Sequence, residues 1–188
     1  RAPAGRLERV EGGPAAAARA TLARFEKEGL SVPCVTGGGT GLGKAIAIEF
    51  ARIGASVAIL SRGEEHRAAG LAAVNAVGGK HIALPCDIRD AAAIAEAFDA
   101  VTEQLGLPDV LVNNAAGNFP VPAEDMSPNA WRTVTDIVLN GTFFCSREFG
   151  RRHIEAETPG SIINIGAAYA WTANSPAKSG ANAASKTA

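Results

Sequence analysis

The sequence predicts a doubly wound α/β domain with a parallel sheet at its centre, and two observations support this fold class. From residue 30 onward, short apolar runs alternate with longer amphipathic segments, which is the βαβ pattern of a parallel sheet. The short runs show no regular polar face, as expected of strands that helices cover on both sides. Strands are therefore predicted at residues 32–36, 56–61, 81–86, 109–113 and 161–165.

The segments between these strands predict helices near residues 41–53, 64–77, 90–105 and 128–151. Ser127-Pro128 opens the last of them as N-cap and first turn. The first three are each followed by glycine, at Gly54, Gly78-Gly79 and Gly106. In the first helix an apolar stripe occupies one face, formed by Leu42, Ile46, Phe50 and Ile53.

Pro33 conflicts with the first predicted strand, which is central in this architecture. A proline cannot donate a hydrogen bond to the neighbouring strand, so it is disfavoured inside a sheet. We expect the strand to start after Pro33.

Composition excludes several classes of protein. The chain has 188 residues, 47% of them hydrophobic, and a net charge of −1, so a soluble globular domain is expected. The chain lacks the excess of positive charge that binding to nucleic acid or to an anionic membrane requires, so neither is expected as a partner. No apolar run approaches the roughly 18 residues of a membrane span.

The cysteines and histidines predict neither a disulfide framework nor a metal site. Cys34, Cys86 and Cys145 are far apart and form no C-x-x-C pair, so we expect buried small side chains in a reducing compartment. The three histidines share no ligand spacing and are expected at the surface or at strand ends: His66, His81 and His153.

A glycine-rich loop joins the first predicted strand to the first helix. Residues 36–44 read TGGGTGLGK, and this context is what the dinucleotide site of a Rossmann fold requires. Gly37 permits the tight turn, Gly41 lets the backbone approach a pyrophosphate, and Gly43 allows close packing of helix and strand. A P-loop is excluded because Ala45 stands where that loop needs Ser or Thr to hold magnesium.

The end of the second predicted strand indicates which dinucleotide is bound. An acidic residue at this point would hold the ribose of NAD, but the sequence has Ser61-Arg62. An arginine can pair with a 2′-phosphate, so NADP(H) is the expected cofactor. The alternative is that Arg62 is a solvated surface side chain.

The chain divides into two parts on this interpretation. Residues 1–29 are predicted to form an N-terminal arm and a helix, and residues 30–188 an NADP-binding Rossmann domain. A complete domain of this kind has roughly 200–250 residues. The last strands are therefore expected to be missing from this chain, and so, by the family resemblance given below, is the segment that covers the substrate.

Several spaced motifs together resemble the short-chain dehydrogenase/reductase superfamily. They are TGGGTGLG at 36–43, CDIRD at 86–90, NNAAG at 113–117 and the Asn140-Gly141 pair. Within the superfamily, the 2,4-dienoyl-CoA reductase branch is the most similar, through NNAAGNF at 113–119, SPNAW at 127–131, TDIVLNGT at 135–142 and the position of Tyr169.

The resemblance implies a cofactor site that extends along the carboxyl ends of the strands. Ser61 and Arg62 stand at the end of the second strand, and Asp87 with Ile88 would meet the adenine. Asn113 and Ala115 would lie along the ribose. The remaining implied contacts, to the phosphates, come from the glycine loop: Thr36, Gly37, Gly39, Thr40, Gly41, Leu42 and Gly43.

The catalytic residues depart from the usual pattern of the superfamily. Most members use Ser, Tyr and Lys, with the tyrosine four residues before the lysine, but here Asn182 stands four residues before Lys186. The dienoyl-CoA reductase branch instead places a tyrosine just after the fifth strand, where Tyr169 stands. In that branch Tyr169 and Asn118 would hold the thioester carbonyl, and Asn140 would order a water near the catalytic lysine. That lysine is Lys186 or, with a larger deletion in the loop, Lys178.

The implied activity is NADPH-dependent reduction of 2,4-dienoyl-CoA thioesters to enoyl-CoA, a step of unsaturated fatty acid β-oxidation. Two alternatives stay open: another member of the superfamily that acts on a carbonyl or an alcohol, and a family member that binds nucleotide without catalysis. The resemblance also implies a fatty acyl-CoA substrate and a homotetramer. A cytoplasmic location is expected, with the mitochondrion as the alternative.

Overall fold

The computed structural model of the chain describes residues 31–118 and 121–166. Within them, five parallel strands form one sheet: β1 (Pro33–Thr36), β2 (Ala58–Ser61), β3 (Ile82–Pro85), β4 (Val110–Asn113) and β5 (Ser161–Asn164). Their order across the sheet is β3-β2-β1-β4-β5. The chain therefore builds outward from β1 to β3 and then crosses to β4 and β5 on the other side, which confirms the predicted doubly wound parallel sheet. The predicted arm and helix at 1–29 lie outside the described residues.

Helices occupy the connections between the strands. They are α1 (Gly41–Arg52), α2 (Glu64–Asn75), α3 (Ala91–Leu105), α4 (Pro128–Thr135) and α5 (Gly141–Glu155). The carboxylate of Asp90 caps α3 by accepting the N–H of Ala92 at 2.8 Å, and the hydroxyl of Ser127 caps α4 by accepting the N–H of Ala130 at 3.1 Å. Both caps satisfy backbone donors that have no partner inside the helix.

The predicted single helix at 128–151 is wrong. A π-helical turn, Asp136–Asn140, separates α4 from α5, and the helical segment continues to Glu155. In a π-turn the hydrogen bond spans one residue more than in an α-helix, so an extra residue is accommodated without ending the helix.

The expectation for Pro33 is also wrong, because β1 begins at this residue. Pro33 pairs with Val110 of β4, whereas the register with β2 starts only at Cys34. As the first residue of the strand, Pro33 occupies a position where the missing N–H is tolerated. Just before it, Val32 N donates to Asp109 Oδ1 at 2.8 Å.

The apolar stripe of α1 is not the face that packs deepest against the sheet. Leu42 and Ile53 are 59% and 51% exposed, whereas the buried residues of the helix are Gly43, Ala47 and Ala51. Small side chains let the helix axis come close to the strands. The larger apolar side chains are therefore left at the edges of the contact.

The large hydrophobic cluster lies between the sheet and helices α3 and α5, and Val35, Ile59 and Val74 are fully buried outside it. Phe98, Ile94 and Val101 of α3 are buried against Leu111 of β4 and Leu60 of β2. The three cysteines are buried, as expected. Burial raises the pKa of the thiols of Cys34 and Cys145 and brings that of Cys86 to about 11, so at neutral pH they are protonated.

His153 is not at the surface, contrary to expectation. It is buried within α5, and its Nε2 donates to the carbonyl oxygen of Pro108 at 2.8 Å. His81 is also buried, at the start of β3, where Nδ1 accepts the N–H of Val57 at 3.1 Å and Nε2 donates to the carbonyl of Gly78 at 2.8 Å. Both rings thus complete backbone hydrogen bonds inside the fold.

In the described ranges no helix is long and apolar enough to span a membrane. The same residues contain no group of three or more His, Cys, Asp or Glu side chains placed to hold a metal ion.

Candidate nucleotide-binding site

A cleft of about 690 Å³ opens at the carboxyl ends of the strands. It lies where β1 is flanked by β2 on one side and by β4 on the other, which is the switch point where ligands bind in doubly wound sheets. Its lining comes from the end of β2, the loops after β1, β2, β3 and β4, the first turns of α1 and α2, and the π-turn: Gly37, Thr40, Gly41, Leu42, Gly43, Leu60, Ser61, Arg62, Gly63, His66, Cys86, Asp87, Ile88, Asn114, Ala115, Ala116 and Ile137.

The glycine loop brings the N-terminus of α1 to the floor of the cleft. Helix α1 begins at Gly41, directly after the loop, and its first turn contains no acidic residue. A Cβ on Gly43 would lie 2.4 Å from both Asn114 Nδ2 and the carbonyl oxygen of Gly37. Only glycine permits this approach, and it leaves the first N–H groups of the helix available to an anion.

The glycine loop also touches α2 without intervening side chains. A Cβ on Gly39 would lie 2.3 Å from the carbonyl oxygen of His66, and a Cβ on Gly70 would lie 2.8 Å from the Cα of Gly39. The backbone of the loop is thereby held against the helix that follows β2, so the phosphate end and the β2 end of the cleft are fixed relative to each other.

Thr36 ties the loop after β4 to the end of β1. Its hydroxyl accepts the N–H groups of Asn114 and Ala115, each at 3.0 Å, and donates to the carbonyl of Val112 at 3.2 Å. In return, Asn114 Nδ2 donates to the carbonyl of Thr36 at 3.0 Å. Thr36 is buried, so it supports the wall of the cleft through these hydrogen bonds and does not line the cleft itself.

At the end of β2 the cleft presents cationic and hydroxyl groups. Ser61, Arg62 and His66 line it, and the side chain of Arg62 is 57% exposed. The guanidinium of Arg67 donates to the carbonyl oxygens of Ser61 and Arg62, which fixes the backbone that carries Arg62.

Asp87 stands at the adjacent end of β3 and faces this corner. The guanidinium of Arg89 binds its carboxylate through Nε, at 2.9 Å from Oδ1, and through Nη2. These hydrogen bonds hold the pKa of Asp87 below its usual value. Arg62 Nη1 lies 3.8 Å from Asp87 Oδ2, so the carboxylate is flanked by two cations.

A family model described as short chain dehydrogenase matches residues 31–188. The chain belongs to the short-chain dehydrogenase family. An uncharacterized oxidoreductase of Caenorhabditis elegans is 48% identical over 148 residues, 74% of this chain and 45% of that protein. A probable 2,4-dienoyl-CoA reductase of the same organism is 46% identical over 141 residues, 74% of this chain and 46% of that protein.

Solved structures agree with this assignment. The crystal structure of a short chain dehydrogenase from Bacillus anthracis, 40% identical, superposes with a TM-score of 0.79 and covers 84% of this chain and 62% of that one. The chain spans about half the length of the curated relatives that it matches. The predicted membership in the superfamily, near the dienoyl-CoA reductase branch, is confirmed.

Short-chain dehydrogenases are oxidoreductases that bind a nicotinamide nucleotide, and the described residues fit such a group. The volume of the cleft is in the range of small-molecule sites. The space beside Gly43, which any Cβ would fill, lets the N-terminus of α1 line the cleft, and a helix N-terminus is suited to binding a pyrophosphate. Cationic Arg62 and the backbone of Gly63 stand at the far end, beyond β2.

Three of the residues assigned to the cofactor do not line the cleft. Thr36 and Gly39 make the internal contacts described above. Asn113 is buried, and its Nδ2 donates to Ser146 Oγ and to Asn164 Oδ1, each at 2.9 Å, so it joins β4 to α5 and β5. The other predicted cofactor residues, Gly37, Thr40, Gly41, Leu42, Gly43, Ser61, Arg62, Asp87, Ile88 and Ala115, are all in the lining.

Sequence reasoning missed several lining residues: Leu60, Gly63, His66, Cys86, Asn114, Ala116 and Ile137. Four of these residues stand inside motifs that predicted the family: Asn114 and Ala116 in NNAAG, Cys86 in CDIRD and Ile137 in TDIVLNGT. Ile137 was not expected in the cleft because it reaches the cleft through the π-turn. A Cβ on Gly117 would lie 2.7 Å from Ile137 Cδ1, and one on Gly141 2.6 Å from Ile88 Cδ1, so both glycines let the turn approach.

The predicted catalytic residues are only partly within the described residues. Asn140 ends the π-turn, is exposed, and its Nδ2 donates to Asp136 Oδ1 at 2.9 Å. Asn118 is exposed at the end of the loop after β4. Neither lines the cleft. Tyr169, Lys186 and Lys178 lie outside the described residues, so their roles stay predictions.

Proposed function

We propose that this chain is the cofactor-binding part of an NADPH-dependent 2,4-dienoyl-CoA reductase. The observation that carries the substrate class is the 46% identity to a probable 2,4-dienoyl-CoA reductase, on a chain whose own cleft fits a dinucleotide. The alternatives, reduction of a ketone or oxidation of an alcohol, need a serine, tyrosine and lysine set that this sequence does not show.

The preference for NADPH is proposed from the charges at the end of β2. Arg62 is exposed in the lining and its backbone is held by Arg67. A guanidinium forms charge-assisted hydrogen bonds with phosphate oxygens, which the 2′-hydroxyl of NADH does not offer. The Ser61 hydroxyl in the same lining supplies a further donor.

When bound, NADPH would supply a hydride to the far end of the conjugated thioester. Negative charge would then develop on the thioester oxygen, where donors aimed at that oxygen lower the barrier, and a tyrosine or a water would protonate the α-carbon of the dienolate to give the enoyl-CoA. We assign these donors to the hydroxyl of Tyr169 and the amide of Asn118. Lys186, or Lys178, would hold the nicotinamide ribose, and Asn140 would order a water beside that lysine.

The decisive experiment uses the full-length protein with NADPH and 2,4-hexadienoyl-CoA, followed by the loss of the near-ultraviolet absorbance of NADPH. We expect turnover, with NADPH preferred over NADH, and an enoyl-CoA product. Turnover of simple ketones or alcohols in place of the dienoyl thioester would overturn the substrate class. Tight NADPH binding without turnover of either kind would indicate a nucleotide-binding family member instead.

Assembly and compartment belong to the same proposal. We propose a homotetramer, which light scattering on the full-length protein tests directly, and a cytoplasmic location, which fluorescence microscopy of the tagged full-length protein tests against the mitochondrion.

A further inference from the structure

The corner of the cleft beyond β2 contains three charged side chains, and the proposed function uses only one of them, Arg62. The carboxylate of Asp87 lies between two guanidinium groups, with bidentate hydrogen bonds from Arg89 and with Arg62 Nη1 at 3.8 Å. Asp87 and Arg62 line the cleft, and Arg89 does not. Asp87 therefore forms its close ion pair with Arg89, whereas Arg62 lies at a longer distance from the same carboxylate.

A carboxylate at this place opposes the binding of a 2′-phosphate in two ways. The phosphate carries about two negative charges near neutral pH, and an anion bound by Arg62 comes within several ångströms of Asp87. The carboxylate also competes with the phosphate for the guanidinium of Arg62. Both effects weaken if another cation already neutralises Asp87.

We propose that Arg89 is a positioning residue that sets the cofactor preference by neutralising Asp87, which leaves Arg62 free to bind a 2′-phosphate. This inference rests on the proposed use of NADPH. The geometry favours it because the planar fork of Arg89 engages both oxygens of Asp87, and a bidentate pair is the strongest form of this interaction. Removal of Arg89 would uncover the negative charge and draw Arg62 toward it.

The test measures binding of two probes, adenosine 2′,5′-bisphosphate and adenosine 5′-monophosphate, to the full-length protein by calorimetry. The ratio of their dissociation constants isolates the 2′-phosphate, since contacts with the adenine and the fraction of folded protein affect both probes equally. We expect Arg89→Ala to lower the preference for the bisphosphate by about three- to ten-fold, as expected for one or two charge pairs at partial solvent exposure.

A double variant separates action through Asp87 from direct contact with phosphate. In the Asp87→Asn background no charge needs neutralising, so the further change Arg89→Ala is expected to alter the ratio by less than about two-fold. If the preference falls as far in this background as in the wild type, Arg89 touches the phosphate itself and the inference is overturned. Arg89→Lys keeps the charge but loses the bidentate fork, so it is expected to retain more of the preference than Arg89→Ala and less than the wild type.

Two further variants keep the failure of this inference distinct from that of the proposed function. Arg62→Ala is expected to abolish the preference; if it does not, the assignment of NADPH to this corner fails. If Arg62→Ala abolishes the preference and Arg89→Ala leaves it unchanged, only the role of Arg89 is wrong. Arg52→Ala removes an exposed cation that pairs with Glu49 on α1, and it is the control for net charge.

Discussion

The side-chain amide of Asn114 fills the space where a side chain on residue 43 would stand. A Cβ on Gly43 would lie 2.4 Å from Asn114 Nδ2, while the same nitrogen donates to the carbonyl of Thr36. The start of α1 and the loop after β4 therefore share one contact, and both walls of the cleft depend on the absence of a side chain at Gly43.

Gly43→Ala is expected to displace Asn114 or the Gly37 carbonyl, because both obstacles belong to ordered parts of the site. We expect a loss of stability of about 1–3 kcal/mol and a loss of nucleotide affinity of at least about ten-fold, measured by chemical denaturation and calorimetry. Gly150→Ala is the matched control, since its Cβ would meet nothing within 4 Å and alanine favours the helix. Equal effects of the two changes would contradict the steric argument.

Thr36→Val is expected to destabilise the protein by about 1–3 kcal/mol, because it leaves the N–H groups of Asn114 and Ala115 without their acceptor at nearly constant volume. Thermal and urea unfolding measure the loss. Thr36→Ser keeps the hydroxyl and is expected to lose less than Thr36→Val. If Thr36→Ser proves more destabilising than Thr36→Val, the methyl group of Thr36 rather than its hydroxyl holds the ends of β1 and β4 together.

Because of Glu148, the free energy of unfolding is expected to fall at acid pH. It is buried on α5, and its Oε1 accepts from Arg151 Nη2 and from Arg152 Nε, each at 2.7 Å. Hydrogen bonds from Arg151, then from Arg152, hold its pKa below the usual value of 4.5. A carboxyl with a lowered pKa in the folded state stabilises above its unfolded pKa, and this stability disappears as the pH falls through the folded value.

Glu148→Gln should therefore cost about 1–3 kcal/mol near neutral pH and flatten the dependence of the unfolding free energy on pH below about 4.5. Denaturant unfolding at a series of pH values measures both effects. Glu155→Gln, which removes an exposed partner of Arg151, should change little. An unchanged acid slope in Glu148→Gln would show that another carboxyl controls it.

Tyr169→Phe tests the proposed donor to the thioester oxygen. We expect kcat with 2,4-hexadienoyl-CoA to fall by about 100- to 1,000-fold, the range found for loss of one donor to a developing oxyanion. Affinity for NADPH should stay within about two-fold, because the phenol is assigned to the substrate. Steady-state kinetics and fluorescence titration give the two values. A parallel loss of both would mean that Tyr169 packs the fold instead.

Features encoded in local sequence could be predicted. The alternation of apolar runs predicts all five strands within two residues, and the hydroxyl of Ser127 caps the helix that it was predicted to open. The glycine loop likewise lies beside the cleft. In each case the residue itself supplies the constraint, whether a cap, a turn or a buried strand.

Features that depend on packing could not be predicted. Nothing in the residues of Asp136–Asn140 distinguishes a π-turn from an α-turn. The close approaches of Ile137 to Gly117 and of Gly141 to Ile88 exist only in the folded chain. The stripe at Leu42 was visible, but small residues at Ala47 and Ala51 face the sheet. The internal roles of Thr36 and Asn113 arise from partners far along the chain.

The contact between the glycine loop and α2 also limits how the sequence can diverge. The Cα of Gly39 is an obstacle to any side chain at Gly70, and the carbonyl of His66 on α2 is an obstacle to any side chain at Gly39. Since both obstacles are main-chain atoms, no compensating substitution elsewhere relieves them. Substitutions at Gly39 and Gly70 are therefore expected to destabilise the fold. Homologues that keep this contact between the loop and α2 should retain both glycines, even where their cofactors and substrates have changed.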